Sequence, residues 1–495
     1  MSWEVDNIRF LDDEQRQDVG FNFILENLNI HTPFGIQEKK KIKPFKKSEL
    51  NLLRKELNNI ENIIHNMKLN DDIYNDITRN LSKYKDISGS IRKCKTLNTL
   101  DEIELYEIKN FSILINDLIT IYSSLDIKIE SVNFNSLQEI SNLLDPENNK
   151  LPTFYIYSSY STNLKKIREN KRIIEEKIFL EEDEEKIKIL KEERLDIVIQ
   201  EEKEELKIRK YLTEKINKKV FDIEENIKSL AKLDILIAKA RLSIKYDGVK
   251  PNIITDCKIQ LKNAFNPSIK EILEKRKSPF IPISISLDEG STLITGANMG
   301  GKSVTLKTIV LNILLANMGF FVFCENAHIP ILDFIYYISD DMQSINKGLS
   351  TFGAEVIKLK EITESIKIGN GFIALDEFAR GTNPKEGKIL AKALCEYLNK
   401  YKSMSVLSTH YDDVGNSDIV HYQVIGLKNI NFDSLKRRID LNKRQSIQII
   451  QDHMDYRLEK VSVDNKVPKD ALNISILLGL ENEIVNLAKK YYEGE

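Results

Sequence analysis

GANMGGKSV, residues 296–304, constrains this chain more than any other stretch. Gly296, Gly301, Lys302 and Ser303 satisfy the GxxxxGK[ST] spacing, preceded by the apolar run STLIT and followed by the helical pattern TLKTIVLNILLA. A loop of this kind needs a strand to launch it and a helix N-terminus to close it. The glycines turn successive backbone amides toward phosphate, Lys302 reaches the β and γ phosphates, and the Ser303 hydroxyl ligates magnesium (Mg2+). The motif therefore predicts an α/β domain that binds a nucleoside triphosphate.

Two further strand ends supply the chemistry such a loop lacks. FIALDEF (372–378) is a buried-strand pattern running into Asp376 and Glu377, suited to hold magnesium and to activate a water, respectively. SMSVLSTH (403–410) ends on His410, which can hydrogen bond a γ-phosphate. KGLSTF (347–352) offers Ser350 and Thr351 after a glycine turn, just before the helical stretch AEVIKLKEITESI, where a helix cap is the ordinary reading.

The strand-rich texture begins after Pro251. Before it, Leu53, Leu57, Ile60, Ile64 and Met67 mark one face of a helix, and the same spacing returns from Leu212 through Ile216, Val220, Ile223 and Ile227 to Leu230. Between these lies a stretch from about residue 164 to 210 without Gly or Pro, which predicts a long charged helical arm. From Glu175 to Glu205 it carries 14 acidic and 6 basic residues, a net of −8, which repels a phosphate backbone and suits a protein partner. The chain as a whole, 495 residues with 73 basic and 76 acidic side chains, is no polycation.

Cys94, Cys257, Cys324 and Cys395 show no paired spacing, which predicts reduced thiols rather than a zinc site or disulfides. The N-terminus has no secretory pattern and no stretch is apolar enough to span a bilayer. A cytoplasmic protein without a membrane partner is expected.

In order and spacing, TGANMGGKSV, SDDMQSINKGLSTFGAE, LDEFARGTNPKEG and LSTHYDDV resemble the four nucleotide-site motifs of the MutS family. LDILIAKARLSIKYDGVKP (233–251) and FNFILENLNIHTPFG (21–35) resemble its lever and core segments. The resemblance implies an α/β P-loop ATPase domain of the ABC type, a mixed sheet flanked by helices, attached to an all-α core with a long coiled-coil arm. The corresponding organisation is a helical core (1–130), a lever and clamp-like arm (131–245), the ATPase domain (246–428) and a C-terminal helical dimerisation segment (429–495). It also implies a homodimer with two composite ATP sites, in which Phe280 stacks on adenine, Asn298 and Gly300 line the phosphates, and Ser350 acts in trans. Val304 departs from the family's usual Thr.

The sequence is expected to carry neither a mismatch-reading domain before the core-like segment nor a nuclease domain after the ATPase domain, and direct mismatch reading is not expected. LLDPENNKLPTFYIYSSYSTNL, HYQVIGLKN, HMDYRLEKV and VPKDALNISILLGL are similar to the short MutS-like ATPases that partner reactivating systems for lysine 5,6-aminomutase, an enzyme of adenosylcobalamin and pyridoxal phosphate. That resemblance implies an aminomutase as the remodelled partner, with a companion reactivase subunit. The alternative is a MutS-type ATPase that binds DNA in mismatch repair or recombination, for which basic stretches such as KKKIKPFKK (39–47) could touch phosphate.

Overall fold

Ten strands form two sheets: β1 (Asn252–Ile254), β2 (Ile259–Ala264), β3 (Ile283–Leu287), β4 (Gly290–Thr295), β5 (Asn326–Pro330), β6 (Ile335–Ile338), β7 (Phe372–Asp376), β8 (Met404–Thr409), β9 (Val420–Gly426) and β10 (Asp455–Val461). The computed structural model describes residues 10–125, 127–149, 153–296, 301–339, 351–411, 414–415, 418–427, 439, 454–461 and 470–493. Asn298, Gly300 and Ser350 lie outside the described residues. By its contacts the chain divides into one unit of Met1–Leu28, Lys43–Glu61 and Lys239–Glu495 and a second of Asn29–Ile42 and Asn62–Ala238.

In the first unit, β4, β6, β7 and β8 are buried at every position, as befits strands covered on both faces, with their Ser and Thr side chains buried among apolar ones. They belong to a six-stranded sheet of order β10-β9-β4-β8-β7-β6, parallel except for β10, which runs antiparallel to β9. A four-stranded sheet of order β1-β5-β2-β3 mixes one parallel pair with two antiparallel ones. The helix Lys302–Asn317 touches strands of both sheets, which explains why it is apolar almost all round. Ile362 and Ile366, with Ala391, Cys395 and Leu398 of the helix Pro384–Leu398, pack with Ile373 and Leu375 of β7 and Leu407 of β8. Strand alternation then turns Phe372, Ala374 and Asp376 to the opposite face.

The second unit is helical among its described residues. The arm is not one helix but a hairpin: Thr162–Leu180 runs out, Glu184–Asn217 returns, and ion pairs Arg194–Glu175, Lys171–Glu201 and Arg168–Glu205 fix their antiparallel register. The reversal uses neither Gly nor Pro. Glu181 takes extended backbone angles and the Asp183 carboxylate caps the returning helix through the amides of Glu185 and Lys186. At the foot of the hairpin, buried Lys109 lies 3.4 Å from Asp145, which also accepts the Tyr157 hydroxyl at 2.8 Å.

Two expectations are corrected. The apolar series from Leu212 to Leu230 does not mark one helix, because the chain turns at 218–219 between Asn217 and Val220. The tail expected to be largely helical carries strand β10 before its helices Asp470–Leu477 and Asn482–Glu493, since paired growth of the sheet satisfies the backbone of 455–461 against β9. Among the described residues no helix is long and apolar enough to cross a membrane.

Candidate nucleotide site

Register alone assembles the centre of the site. Thr295 at the end of β4 pairs with Thr409 of β8, and Ser408 of β8 pairs with Asp376 at the end of β7. The residues that follow each strand, Gly296, His410 and Glu377, therefore emerge at one edge of the sheet, where parallel α/β sheets bind ligands.

Gly301 caps the helix Lys302–Asn317 with φ +78°, a left-handed conformation that glycine adopts without strain. A side chain there would also meet the Tyr456 ring, since a Cβ would lie 2.7 Å from its Cδ1. The loop is thus crowded from behind by β10. Gly296 is similarly confined, a Cβ there lying 3.0 Å from that of Val424. Beneath the loop, the buried His421 ring nitrogen bonds Thr295 Oγ1 at 2.6 Å, and burial pushes the imidazole pKa down.

Lys302 is buried and folds back, its Nζ donating to Gly296 O at 2.9 Å and lying 3.3 Å from Glu377 Oε1. The other Glu377 oxygen, Oε2, accepts from Arg380 Nη1 at 2.8 Å. Glu377 is held at φ +48°, and Ala379 at φ +62°, both in the region where a Cβ is strained. The Glu377 amide donates to Ser408 Oγ at 3.0 Å, and that hydroxyl donates to Asp376 Oδ1 at 2.5 Å. Burial raises the Asp376 pKa, opposed by hydrogen bonds from Ser303 and Ser408 and reinforced by the charge of Glu377.

The chemistry of this donor set fits magnesium with a polyphosphate. A buried carboxyl and a hydroxyl, Asp376 and Ser303, offer hard oxygen ligands. Among the described residues no group of three or more His, Cys, Asp or Glu could hold a metal without help. Magnesium typically takes only one or two protein carboxylates and completes its shell with phosphate and water.

His410 follows β8 with its ring 4.4 Å from that of Tyr411, whose hydroxyl donates to Ala379 O at 3.2 Å. Glu355, in the helix Thr351–Ser365, accepts the Ala379 amide at 3.0 Å. The helix that follows the KGLSTF turn is thereby tied to the loop after Glu377. Phe280 stands apart: it is half-buried in the segment entering β3, with no ring contact or hydrogen bond to the phosphate loop among the described residues. The structure thus joins Gly296, Lys302, Ser303, Asp376 and Glu377. It adds Arg380, Ser408, His421, Tyr456 and Glu355, which sequence reasoning had not singled out. Arg380, Ser408 and Glu355 were visible inside LDEFARG, LSTH and STFGAE; His421 and Tyr456 lie inside HYQVIGLKN and HMDYRLEKV, but nothing in the sequence placed them at the phosphate loop.

Residues 292–483 match the family model for MutS domain V. The chain is similar to proteins named endonuclease MutS2. It is 32% identical to that of Finegoldia magna over 292 residues, covering 57% of this chain and 34% of that protein. It is 30% identical to that of Caldanaerobacter subterraneus subsp. tengcongensis over 307 residues, covering 62% and 36%. Against that of Caldicellulosiruptor saccharolyticus it is 33% identical over 273 residues, covering 54% and 31%. The chain spans about a third of the length of these curated relatives.

Proposed function

We propose that this chain, a MutS-family ATP hydrolase, turns ATP binding and hydrolysis into movement of its helical hairpin against a macromolecular partner. The observation that carries the reading is the convergence of Lys302, Ser303, Asp376 and Glu377 at one sheet edge. Lys302 and the amides of 296–301, including Asn298 and Gly300, hold the β and γ phosphates. Ser303 and Asp376 hold magnesium, which when bound neutralises phosphate charge. Glu377, released from Lys302, orients and deprotonates the attacking water, while Arg380 holds its second oxygen. His410 senses the γ-phosphate, and Phe280 stacks on adenine. Ser350 reaches the site of a second copy, making the working unit a cytoplasmic homodimer with composite sites, joined through 429–495.

DNA is the partner that the relatives' name, endonuclease MutS2, favours. A second reading has an observation of its own. The hairpin's net charge of −8 over Glu175–Glu205 opposes contact with phosphate and favours a protein, for which the narrower resemblance suggests an aminomutase. Glu377→Gln tests the site: ATP binding should persist while hydrolysis falls by about 10²–10⁴-fold, the usual contribution of a general base. Unchanged turnover would remove Glu377 from that role. ATPase stimulation by duplex or branched DNA, against stimulation by inactivated aminomutase, separates the two partners.

A further inference from the structure

We propose that the tip of the hairpin is a docking site for a basic amphipathic helix on a protein partner. The inference rests on the protein-remodelling reading and names its contact. Phe179 and Leu180 end the outgoing helix 88% and 79% exposed, and Ile189 on the returning helix is 57% exposed. Exposed apolar side chains occur singly elsewhere on this chain, but here they cluster at one tip, which is the pattern of a contact surface. Between Leu180 and Ile189 lies an open groove of about 430 Å³ lined by Lys177, Leu180, Glu181, Lys186, Ile189 and Leu190. Its floor is aliphatic, and the two lysines contribute their stems.

Charge selects the occupant. Residues 181–185 are EEDEE, and the segment 175–186 holds seven carboxylates against two lysines. Three of the hairpin's other cations are paired lower down, Arg194 with Glu175, Arg168 with Glu201 and Glu205, and Lys171 with Glu201, and with Lys188 and Lys191 counted the stretch 175–205 still keeps its net of −8. Among the described residues none of Glu182, Glu184 and Glu185 has an ion-pair partner. Such a tip repels nucleic acid, an anionic membrane and the same tip of a second copy. An amphipathic helix with an apolar stripe between lysines or arginines matches both its surface and its charge.

The test uses the full chain without nucleotide and a fluorescein-labelled peptide of leucines and lysines at helical spacing, with the leucine–glutamate peptide of the same pattern as comparator. The wild type should bind only the basic peptide, and more weakly as salt rises. Phe179→Ser with Leu180→Ser, and separately Glu182→Lys with Glu184→Lys, should each weaken binding about tenfold or more. Leu195→Ser, at an exposed position farther down the hairpin, should not. Absence of binding to the wild type, equal loss in Leu195→Ser, or unchanged binding in both tip variants overturns the proposal. So does displacement of the peptide by duplex or branched DNA whose own binding falls in the tip variants. Basal ATPase activity should be unchanged in all of these variants, so failure here leaves the Glu377 test untouched.

Discussion

Replacing Asp376 by Asn should make the nucleotide-free protein more stable and the loaded protein less so. Asp376 is 4% exposed, burial raises its pKa, and the Glu377 carboxylate next to it raises it further. Asn has nearly the same shape and keeps an oxygen for the Ser408 hydroxyl, now 2.5 Å from Oδ1. What it removes is a buried charge, crowded by Glu377 and only partly offset by Lys302, whose proposed magnesium partner would arrive with nucleotide. Relief of this kind at a functional site is worth about 0.5–2 kcal/mol. At about 2–4 °C per kcal/mol for a domain of ~150–250 residues, that is a rise of a few degrees in melting temperature. Magnesium and ATP at a hundred times Kd should add about 2.7 kcal/mol to the wild type. The variant, lacking the carboxylate, should gain far less, so the two melting curves cross over. Differential scanning calorimetry of both proteins, with and without magnesium and ATP, reads this directly. A variant that melts lower than wild type without nucleotide, or gains as much from it, refutes the reasoning.

Gly301→Ala should weaken binding of a fluorescent ATP analogue by about tenfold or more, because φ +78° costs an alanine about 1–2 kcal/mol and its Cβ would press on Tyr456; equal affinity would show that the loop adjusts freely. His421 should make stability fall in mild acid. Its folded pKa is depressed below the ordinary 6.5, so its contribution is full above that value and is lost as pH falls toward the folded pKa, where the unfolded chain has already taken the proton. Thermal melts from neutral to mildly acidic pH should therefore show a flatter profile for His421→Gln, and parallel profiles would exclude the histidine as the cause.

The parts of the sheet-bearing unit legible in sequence are those whose residues sit at strand ends. STLIT, FIALD and SVLST are short runs of apolar and small hydroxyl residues, each ending at the site, so Gly296, Asp376, Glu377 and His410 could be placed in order. The hairpin reversal was hidden because turns are usually announced by Gly or Pro. Here Asp183 supplies a cap within a run of identical charges, where one carboxylate looks like any other. The break at 218–219 was masked by apolar spacing that continues across it. β10 lies in a segment whose burial alternates only weakly, and its strand character comes from pairing with β9. His421 and Tyr456 act through tertiary approach to residues more than a hundred positions away, which periodicity cannot report.

The pairing of Glu377 with Lys302 gives the site an order of events. At 3.3 Å the carboxylate occupies the ammonium that the proposed γ-phosphate would need, while Arg380 steadies its other oxygen. Proposed ATP loading would then be an exchange of one anion for another. In the proposed reaction Lys302 would leave the carboxylate only when a phosphate replaced it, so the proposed base would be unlatched by its own substrate.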